Sequence, residues 1–335
     1  MEFKNFIGID ISKGTIDLAL LTGHGELASL KWDNDGKVLS KGLRLLFKEH
    51  GLDKETALLC AEHTGQFGNK LVETCLCLGL NLWMESPYAI SRSQGLTRGK
   101  DDKVDAARIA YYAKRFSDKA KPVRPTSKAI SKLKLLCAER DLAVRDLSKY
   151  KGQLKQEEGF LDKGYFVGKT KRVKKIMSAY EKTIKEIEGE IDVLIENDPD
   201  IKDNFDNIVS IEGVGRQTAI ATIVATENFQ KFDDPRKFAC HIGCAPFRYQ
   251  SGTSVNSRNK VSHRANKKLK KIFHLAALST LRTNGQLREY FDRKLAEGKH
   301  KMSIINAIRS KLVHRIFAIV KQNRKYEKIY THTLV

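Results

Sequence analysis

The sequence predicts a mixed α/β domain at the N-terminus, followed by long charged helices and a basic, mainly α-helical C-terminal region. Two β-branched apolar runs, residues 6–11 and 15–21, are joined by a Lys-Gly turn, which is typical of a β-hairpin. Helix-like and strand-like apolar patterns then alternate as far as residue 85. Beyond residue 127 the apolar spacing is mostly helical, so the sheet is expected to end before that point.

The order of the predicted elements identifies the kind of sheet. The strands are predicted at 6–11, 15–21, 26–32, 56–61 and 80–85, and the intervening helices at 37–50 and 66–78. Strands in hairpins followed by helix, strand, helix, strand indicate a sheet with antiparallel and parallel parts. This order fits a ribonuclease-H-like sheet, in which the first and fourth strands are neighbours. A further helix begins near residue 102, and Pro122 and Pro125 then interrupt the chain. We therefore place the first domain at residues 1–122.

Residues 123–200 form a predicted helical segment with narrow apolar seams. Apolar residues follow a heptad-like spacing from Ile130 to Leu161 and again from Val173 to Leu194, with glycines between the two runs. This pattern predicts an antiparallel coiled coil that serves dimerisation. A helical spacer is the alternative.

Residues 201–335 form the third predicted region. Gly213 and Gly215 precede a helix of small residues, a pattern that resembles a helix-hairpin-helix element whose backbone N–H groups contact phosphates; a simple tight turn is the alternative. The stretch 247–258 is polar and shows neither helical nor strand periodicity, which predicts a loop. Helices with apolar and basic faces are predicted at 269–282, 287–297 and 302–322.

The charge distribution predicts a polyanionic partner. The chain of 335 residues has a formal net charge of +21, and from residue 248 onwards 21 Lys and Arg face four Asp and Glu, a balance of +17. Such a concentration of positive charge is typical of nucleic-acid-binding regions. The basic residues expected to contact nucleic acid are Arg248, Arg258, Lys260, Arg264, Lys267, Lys268 and Lys271.

The six cysteines and the absence of long apolar runs indicate the compartment. No paired cysteine framework is present, so the thiols are expected to be reduced, and Cys240 and Cys244 lack the second ligand pair that a zinc site needs. No signal region or run of 18 apolar residues occurs. We expect a cytoplasmic protein with no membrane partner.

Four carboxylates stand out by their positions. Asp10 interrupts an apolar strand, Glu62 closes the fourth strand, and Asp102 and Asp105 are three residues apart on one helix face. Carboxylate oxygens bind divalent cations that assist phosphodiester cleavage. The alternative is that Asp10 is structural and the others are ordinary surface acids.

Five motifs together resemble a known family. They are Gly8-Ile9-Asp10-x-x-Lys13, Glu62, Lys100-x-Asp102-x-x-Asp105-Ala106, Ile211-x-Gly213-x-Gly215-x-x-Thr218-Ala219, and Ala245-Pro246 followed by Ser251-Gly252. With these motifs the chain resembles, over nearly its whole length, the DEDD-type insertion-sequence transposases related to the Piv invertase. This is a family of bridge-RNA-guided recombinases.

The resemblance implies a RuvC-like N-terminal domain, a coiled coil, and a transposase domain with a catalytic serine. It implies that Asp10, Glu62, Asp102 and Asp105 bind Mg²⁺, as two ions, with Mn²⁺ as a substitute, and that Ser251 forms a phosphoserine with DNA. It further implies homodimers or homotetramers with composite sites, and a structured RNA that pairs with target and donor DNA. The protein would act at a prokaryotic nucleoid.

Alternatives remain at two levels. The residues after Ser251-Gly252 depart from the family pattern, so Ser254 and Ser257 are rival nucleophiles. A RuvC-like, metal-dependent junction-resolving nuclease would use the carboxylates without any serine. A non-enzymatic nucleic-acid-binding protein would need neither the carboxylates nor a serine for catalysis.

Overall fold

The computed structural model describes residues 2–22, 25, 27–93, 95, 102–251 and 255–327. Within these ranges, nothing is described of the side chains of Leu27, Asp102, Lys103, Arg248, Tyr249, Ser251 and residues 255–260. The chain divides into two compact units, Met1–Pro125 and Thr126–Val335. Each unit is treated separately below.

The first unit contains a five-stranded mixed sheet with helices. Its strands are β1 (Asn5–Ile11), β2 (Thr15–Leu21), β3 (Leu27–Asp33), β4 (Ala57–Glu62) and β5 (Asn81–Glu85), and its helices are α1 (Gly36–Glu49), α2 (Asn69–Leu78), α3 (Pro87–Ser93) and α4 (Asp102–Arg115). The spatial order is β3-β2-β1-β4-β5. β1, β2 and β3 pair antiparallel, whereas β4 pairs parallel to β1 and to β5. The predicted mixed sheet, with the first and fourth strands adjacent, is confirmed.

The two faces of this sheet carry separate cores, because alternate residues of a strand point to opposite faces. Ile7 and Ile9 of β1 belong to the core that includes buried residues of α1 and α2. Phe6 belongs to the core that includes buried residues of α4. A Cβ atom at Gly8 would lie 2.1 Å from the backbone oxygen of Ala106, so glycine allows α4 to approach β1 closely. Residues of β1 with even numbers therefore face α4.

The second unit begins with a long antiparallel helical hairpin, as the apolar spacing predicts. Its helices are α5 (Lys128–Glu157) and α6 (Lys163–Glu196). Charged residues that interrupt the predicted apolar seam form ion pairs between the two helices, with 2.6 Å from Arg140 Nε to Glu188 Oε1 and 3.1 Å from Lys151 Nζ to Glu181 Oε1. Supercoiling of the hairpin and its use in dimerisation stay predictions.

The rest of the second unit is mainly helical, as predicted. Its elements are α7 (Pro199–Val209), α8 (Arg216–Thr226), α9 (Pro235–His241), β6 (Pro246–Ser251), β7 (Val255–Val261), α10 (Lys267–Thr280), α11 (Gln286–Ala296) and α12 (Lys301–Lys321). α12 is central, because it contacts α7, α9, α10 and α11. Phe238, Phe273 and Ile308 are fully buried in the shared core.

The prediction that residues 247–258 form a loop is wrong. β6 and β7 pair antiparallel as a two-stranded hairpin, with Pro246 opposite Val261 and Ser251 opposite Val255. Strands show alternation in sequence when one face is covered by a core. β7 is polar at every position between Val255 and Val261, so it has no sequence period, whereas β6 has a short alternation of Phe247 and Tyr249 with Arg248 and Gln250 that the prediction overlooked.

Among the helices within the described ranges, none combines the length and the apolar character required to cross a bilayer.

Candidate active site in the N-terminal sheet

Asp10 and Glu62 lie side by side at one edge of the sheet. β1 and β4 run parallel, and Ile9 is opposite Ala61, so Asp10 and Glu62 follow as the next positions along the two strands. Adjacent strands are separated by about 4.8 Å. Gly8 and Cys60, two residues earlier on each strand, face α4, and so Asp10 and Glu62 project on that face too. Both residues are partly buried.

Two further carboxylates extend this row, and sequence reasoning missed both. Glu85 at the end of β5 is in register with Glu62, and Asp17 of β2 is in register with Asp10. Lys31 of β3 is in register with Asp17 and completes the row across the sheet. Like Asp10 and Glu62, both missed acids interrupt or close an apolar run. That signal was present in the sequence.

The two outer carboxylates of this row already have partners. The Asp17 carboxylate is buried and lies 3.2 Å from Lys31 Nζ. Glu85 Oε1 accepts a hydrogen bond of 2.6 Å from the backbone N–H of Ser86, and Glu85 Oε2 accepts one of 3.4 Å from the Tyr112 hydroxyl. Burial and the neighbouring Glu85 charge raise the pKa of Tyr112 to about 12, so its hydroxyl remains a donor. Asp17 and Glu85 therefore each bind a residue other than Asp10 and Glu62.

A thiol lies on the same face but is chemically inert. Cys60 is fully buried, and burial, together with the charges of Glu85 and Glu62, raises the pKa of its thiol far above the usual range. The thiolate is the reactive form of cysteine. Cys60 is therefore excluded as a nucleophile at neutral pH.

The first turn of α4 brings the other two predicted acids to this region. Ala106 and Ala110 touch Gly8, so α4 crosses β1 two residues before Asp10. Asp102 is the first residue of α4, and its side chain lies outside the described ones. Asp105 Oδ1 accepts a hydrogen bond of 2.8 Å from Arg108 Nη1. The fold thus places Asp10 and Glu62 on neighbouring strands, and Asp102 and Asp105 on the helix that packs against the same face of the sheet.

A carboxylate set of this kind has the right chemistry for a divalent cation, because Mg²⁺ prefers oxygen ligands. Among the side chains that the structure describes, no group of three His, Cys, Asp or Glu residues is close enough to hold a metal ion. Asp105 is bound to Arg108 in this state. A complete site would therefore need the Asp102 side chain or release of Asp105 from its guanidinium partner.

The predicted nucleophile lies on the hairpin of the second unit. Ser251 is the last residue of β6 and is opposite Val255 of β7, which places its backbone at the tip of the hairpin. The Ser251 and Ser257 side chains and the whole of Ser254 lie outside the described residues. The choice among the three serines stays a prediction.

The two glycines before α8 differ in their surroundings. Gly213 has a φ of +79°, and a Cβ atom there would lie 2.4 Å from Thr280 Cγ2 and 2.6 Å from the Thr280 backbone nitrogen. Gly215 is exposed, caps the N-terminus of α8, and has no other atom within 4 Å of its Cβ position. Close packing against Thr280 therefore requires glycine at position 213, whereas the space around Gly215 could accommodate a phosphate.

The predicted basic residues are likewise in different situations. Arg264, Lys267, Lys268 and Lys271 are all exposed, and Lys268 on α10 also forms an ion pair with Asp141 of α5. The side chains of Arg248, Arg258 and Lys260 lie outside the described ones.

Comparison with known families agrees with this layout. A model for DEDD transposases of the IS110 type, described as "Transposase", matches residues 7–164, and a second, "Transposase IS116/IS110/IS902 family", matches residues 206–292. The chain belongs to the IS110/IS116/IS902 family of DEDD transposases. It is thus a DNA recombinase, and its DEDD domain implies dependence on a divalent cation. The first match includes the four predicted acids, and the second includes Ser251.

The individual relatives match different lengths of the chain. The "Pilin gene-inverting protein" of Moraxella bovis is 26% identical over 330 residues, which cover 97% of this chain and 98% of the relative. The IS110 "uncharacterized 43.6 kDa protein" of Streptomyces coelicolor is 26% identical over 152 residues, covering 45% of this chain and 36% of the relative. Among solved structures, T. thermophilus RuvC in complex with a Holliday junction substrate is 11% identical, covers 36% of this chain and 99% of its own, and has a TM-score of 0.27. So slight a structural overlap adds nothing to the family assignment.

Proposed function

We propose that this transposase cuts and rejoins insertion-element DNA through a phosphoserine intermediate, with a divalent cation bound by Asp10, Glu62, Asp102 and Asp105. The observation that supports this most strongly is the register of β1 and β4, which sets Asp10 beside Glu62 on the face covered by α4. A pair of carboxylates on rigid neighbouring strands is a suitable foundation for a metal site.

Mg²⁺ is the ion that this set of ligands would hold, because every proposed ligand is a carboxylate oxygen. When bound, Mg²⁺ would stabilise charge on the phosphate oxygens and lower the barrier to displacement at phosphorus. Asp10 and Glu62 supply ligands from the sheet, and Asp102 and Asp105 supply them from α4. Release of Asp105 from Arg108 would free its carboxylate for this role.

Ser251 is the proposed nucleophile. Its Oγ attacks the phosphorus of a DNA phosphodiester, the hydroxyl proton passes to a general base, and the bond from phosphorus to the leaving strand breaks to give a hydroxyl end. A hydroxyl end from the partner DNA then attacks the phosphoserine, which joins the new strand and releases the serine. The phosphoserine retains the energy of the cleaved bond, so rejoining needs no nucleotide cofactor.

Guidance by a structured RNA is the finer part of this proposal. RNA that pairs with target and donor DNA would supply sequence specificity, while the basic C-terminal region, with 21 Lys and Arg from residue 248 onwards, would bind the nucleic-acid backbones. Two or four copies would assemble so that serine and carboxylates from different subunits act together. Recombination should therefore be lost after nuclease treatment of the protein and restored by RNA transcribed from the element.

The metal site is tested by a measurement that does not need activity. Mg²⁺ that binds only the folded state raises the free energy of unfolding. Urea unfolding of the wild type should shift to higher urea in 10 mM MgCl₂, and this shift should vanish in Asp10→Asn and Glu62→Gln. The exposed Asp118 offers a matched control, so Asp118→Asn should keep the shift. An undiminished shift in Asp10→Asn would remove that residue from the site.

A hydrolytic nuclease is the second candidate, because Asp10, Glu62 and Glu85 all lie in the first unit, at the ends of strands of one sheet. Such an enzyme would need no serine from the second unit. Metal-dependent cleavage that leaves free 5′-phosphate ends and persists after Ser251, Ser254 and Ser257 are all changed to alanine would favour this candidate.

A further inference from the structure

A buried cation without a carboxylate partner lies on α12. Arg309 exposes only 7% of its surface, although Lys and Arg elsewhere on this basic chain are mostly exposed. Its Nε is buried and has no hydrogen-bond partner. Within the described part of the chain, no carboxylate forms an ion pair with it, and burial is the main influence that lowers its pKa. Arginine nevertheless stays charged at neutral pH.

Such a residue is a poor choice for stability alone. An unpaired charge in the interior destabilises a fold, and an apolar side chain of similar size in its place is often neutral or stabilising. Arg309 lies between the apolar residues Ile308 and Leu312 of the same helix, both fully buried, so methionine would suit the surroundings. A feature that opposes stability in this way is typical of a functional position.

Three described groups near Arg309 are positive or neutral. One turn earlier on α12, Asn306 Nδ2 donates a hydrogen bond of 2.8 Å to the backbone oxygen of Cys244, and Asn306 Oδ1 is buried without a partner. Lys270 lies near the same segment, because its charge and that of Arg309 both act on the Cys244 thiol, and its Cδ lies 3.6 Å from the Cβ position of Gly243. His274, one turn after Lys270, has a pKa lowered by burial and by the Arg309 charge, so it is neutral at pH 7. Among the side chains that the structure describes, none of these groups near Arg309 is a carboxylate that could act as a counter-ion.

The location relates this cluster to the hairpin that carries Ser251. Cys244 comes two residues before β6 begins at Pro246, so Asn306 fixes α12 to the base of the β6–β7 hairpin. The six residues of β6 then extend about 17 Å to Ser251. Along a DNA duplex this length corresponds to about five base pairs.

We propose that Arg309 and Lys270 bind a phosphate of the DNA backbone at the base of the β6–β7 hairpin, about five base pairs from the strand that meets Ser251. Guanidinium groups bind phosphate oxygens through paired, charge-assisted hydrogen bonds, which the Nη groups of Arg309 would donate because Nε is buried. The inference rests on DNA as the substrate but not on the serine chemistry, because the test below measures binding and not cleavage.

The test compares full-length wild type with Arg309→Met, Arg309→Lys and Lys270→Met. Binding to a mixed-sequence 30-bp duplex is followed by fluorescence anisotropy over a range of KCl concentrations. Loss of one phosphate contact makes the negative slope of log K against log salt shallower by about one. Arg309→Met should bind about tenfold more weakly, with this smaller slope, and should unfold at the same temperature as the wild type or higher. Arg309→Lys should restore the slope.

Controls separate this role from a structural one. Lys182→Met removes one positive charge from an exposed site on α6 and should leave the slope unchanged. If Arg309 is purely structural, with its Nε bridged by water to Asn306 Oδ1, then Arg309→Met lowers the unfolding temperature and keeps the wild-type slope. An unchanged slope in both Arg309→Met and Lys270→Met overturns the proposal. A second result would also overturn it. In that result, potassium phosphate raises the unfolding temperature of the wild type more than that of Arg309→Met, but the two proteins have the same slope of log K against log salt for DNA, which would indicate a site for free anions only.

Discussion

Replacing Gly8 with alanine tests how closely α4 must approach the sheet. The added Cβ would lie 2.1 Å from the Ala106 backbone oxygen and 2.2 Å from the Ala110 backbone nitrogen. Both are backbone atoms of a helix, so no side chain can rotate away. An ordinary van der Waals separation is about 3.4 Å, which requires α4 to move by about 1.3 Å. Overpacking of this kind costs about 1–3 kcal/mol of unfolding free energy.

The same displacement should impair catalysis beyond its effect on stability. α4 carries Asp102 and Asp105, which we propose to act with Asp10 and Glu62 of the sheet. A shift of about 1 Å between parts of an active site reduces rates by about a hundredfold. We therefore expect Gly8→Ala to lose about that factor in Mg²⁺-dependent DNA cleavage under conditions in which the protein is fully folded.

The assay is selective for the first unit, because the chain has two tryptophans, Trp32 and Trp83, and both belong to that unit. Their fluorescence during urea unfolding should show a midpoint lowered by about 1 M in Gly8→Ala. Gly14→Ala is the matched control, because no other atom lies within 4 Å of that Cβ position. If Gly8→Ala unfolds at the wild-type urea concentration and keeps wild-type cleavage, the close contact with α4 is refuted.

Three further predictions concern the second unit. Gly213→Ala should unfold at lower temperature, because its φ of +79° and its contact with α10 both disfavour a side chain, whereas Gly215→Ala should keep wild-type stability and change only DNA affinity. Leu135 and Leu142 are exposed by 70% and 54% on α5, and we propose that they contact a second copy of the chain, so changing both to glutamate should abolish dimers in analytical ultracentrifugation without loss of helical circular dichroism. Burial lowers the pKa of His274, so the unfolded state takes up a proton at a higher pH than the folded state does. The free energy of unfolding, measured by urea titration, should therefore fall as the pH drops below about 6.5. This fall should be smaller in His274→Gln.

The sheet could be predicted from the sequence because its strands are short, apolar and separated by clear turns. Asp10 and Glu62 were recognisable as charged residues in such strands, and their proximity to each other follows from the strand order, in which β1 is next to β4. Glu85 and Asp17 carried the same signal. Their importance became visible only in the register, which places Glu85 beside Glu62 and Asp17 beside Asp10.

Other features depend on tertiary contacts that leave no local pattern. β7 is polar throughout its interior, and the alternation in β6 is limited to Phe247 and Tyr249, so the ribbon has too short a periodic pattern to be recognised as two strands. The helix at 302–322 was predicted with one apolar and one basic face, and nothing in that pattern distinguishes Arg309 from the exposed basic residues. It is buried because α12 packs against four other helices and has little free surface. Gly213 similarly owes its role to Thr280, which is distant in the sequence.

The central claim is that a serine of the β6–β7 hairpin is joined covalently to DNA, and the most direct measurement is to trap and map that bond. Wild-type protein would be incubated with Mg²⁺, element RNA and a donor duplex that carries a nick beside the cleavage site, then denatured, digested and analysed by mass spectrometry. We predict a nucleotide adduct on the peptide that contains Ser251, and no adduct in Ser251→Ala. An adduct on Ser254 or Ser257 would reassign the nucleophile, and cleavage with free 5′-phosphate ends and no adduct on any serine would contradict the account.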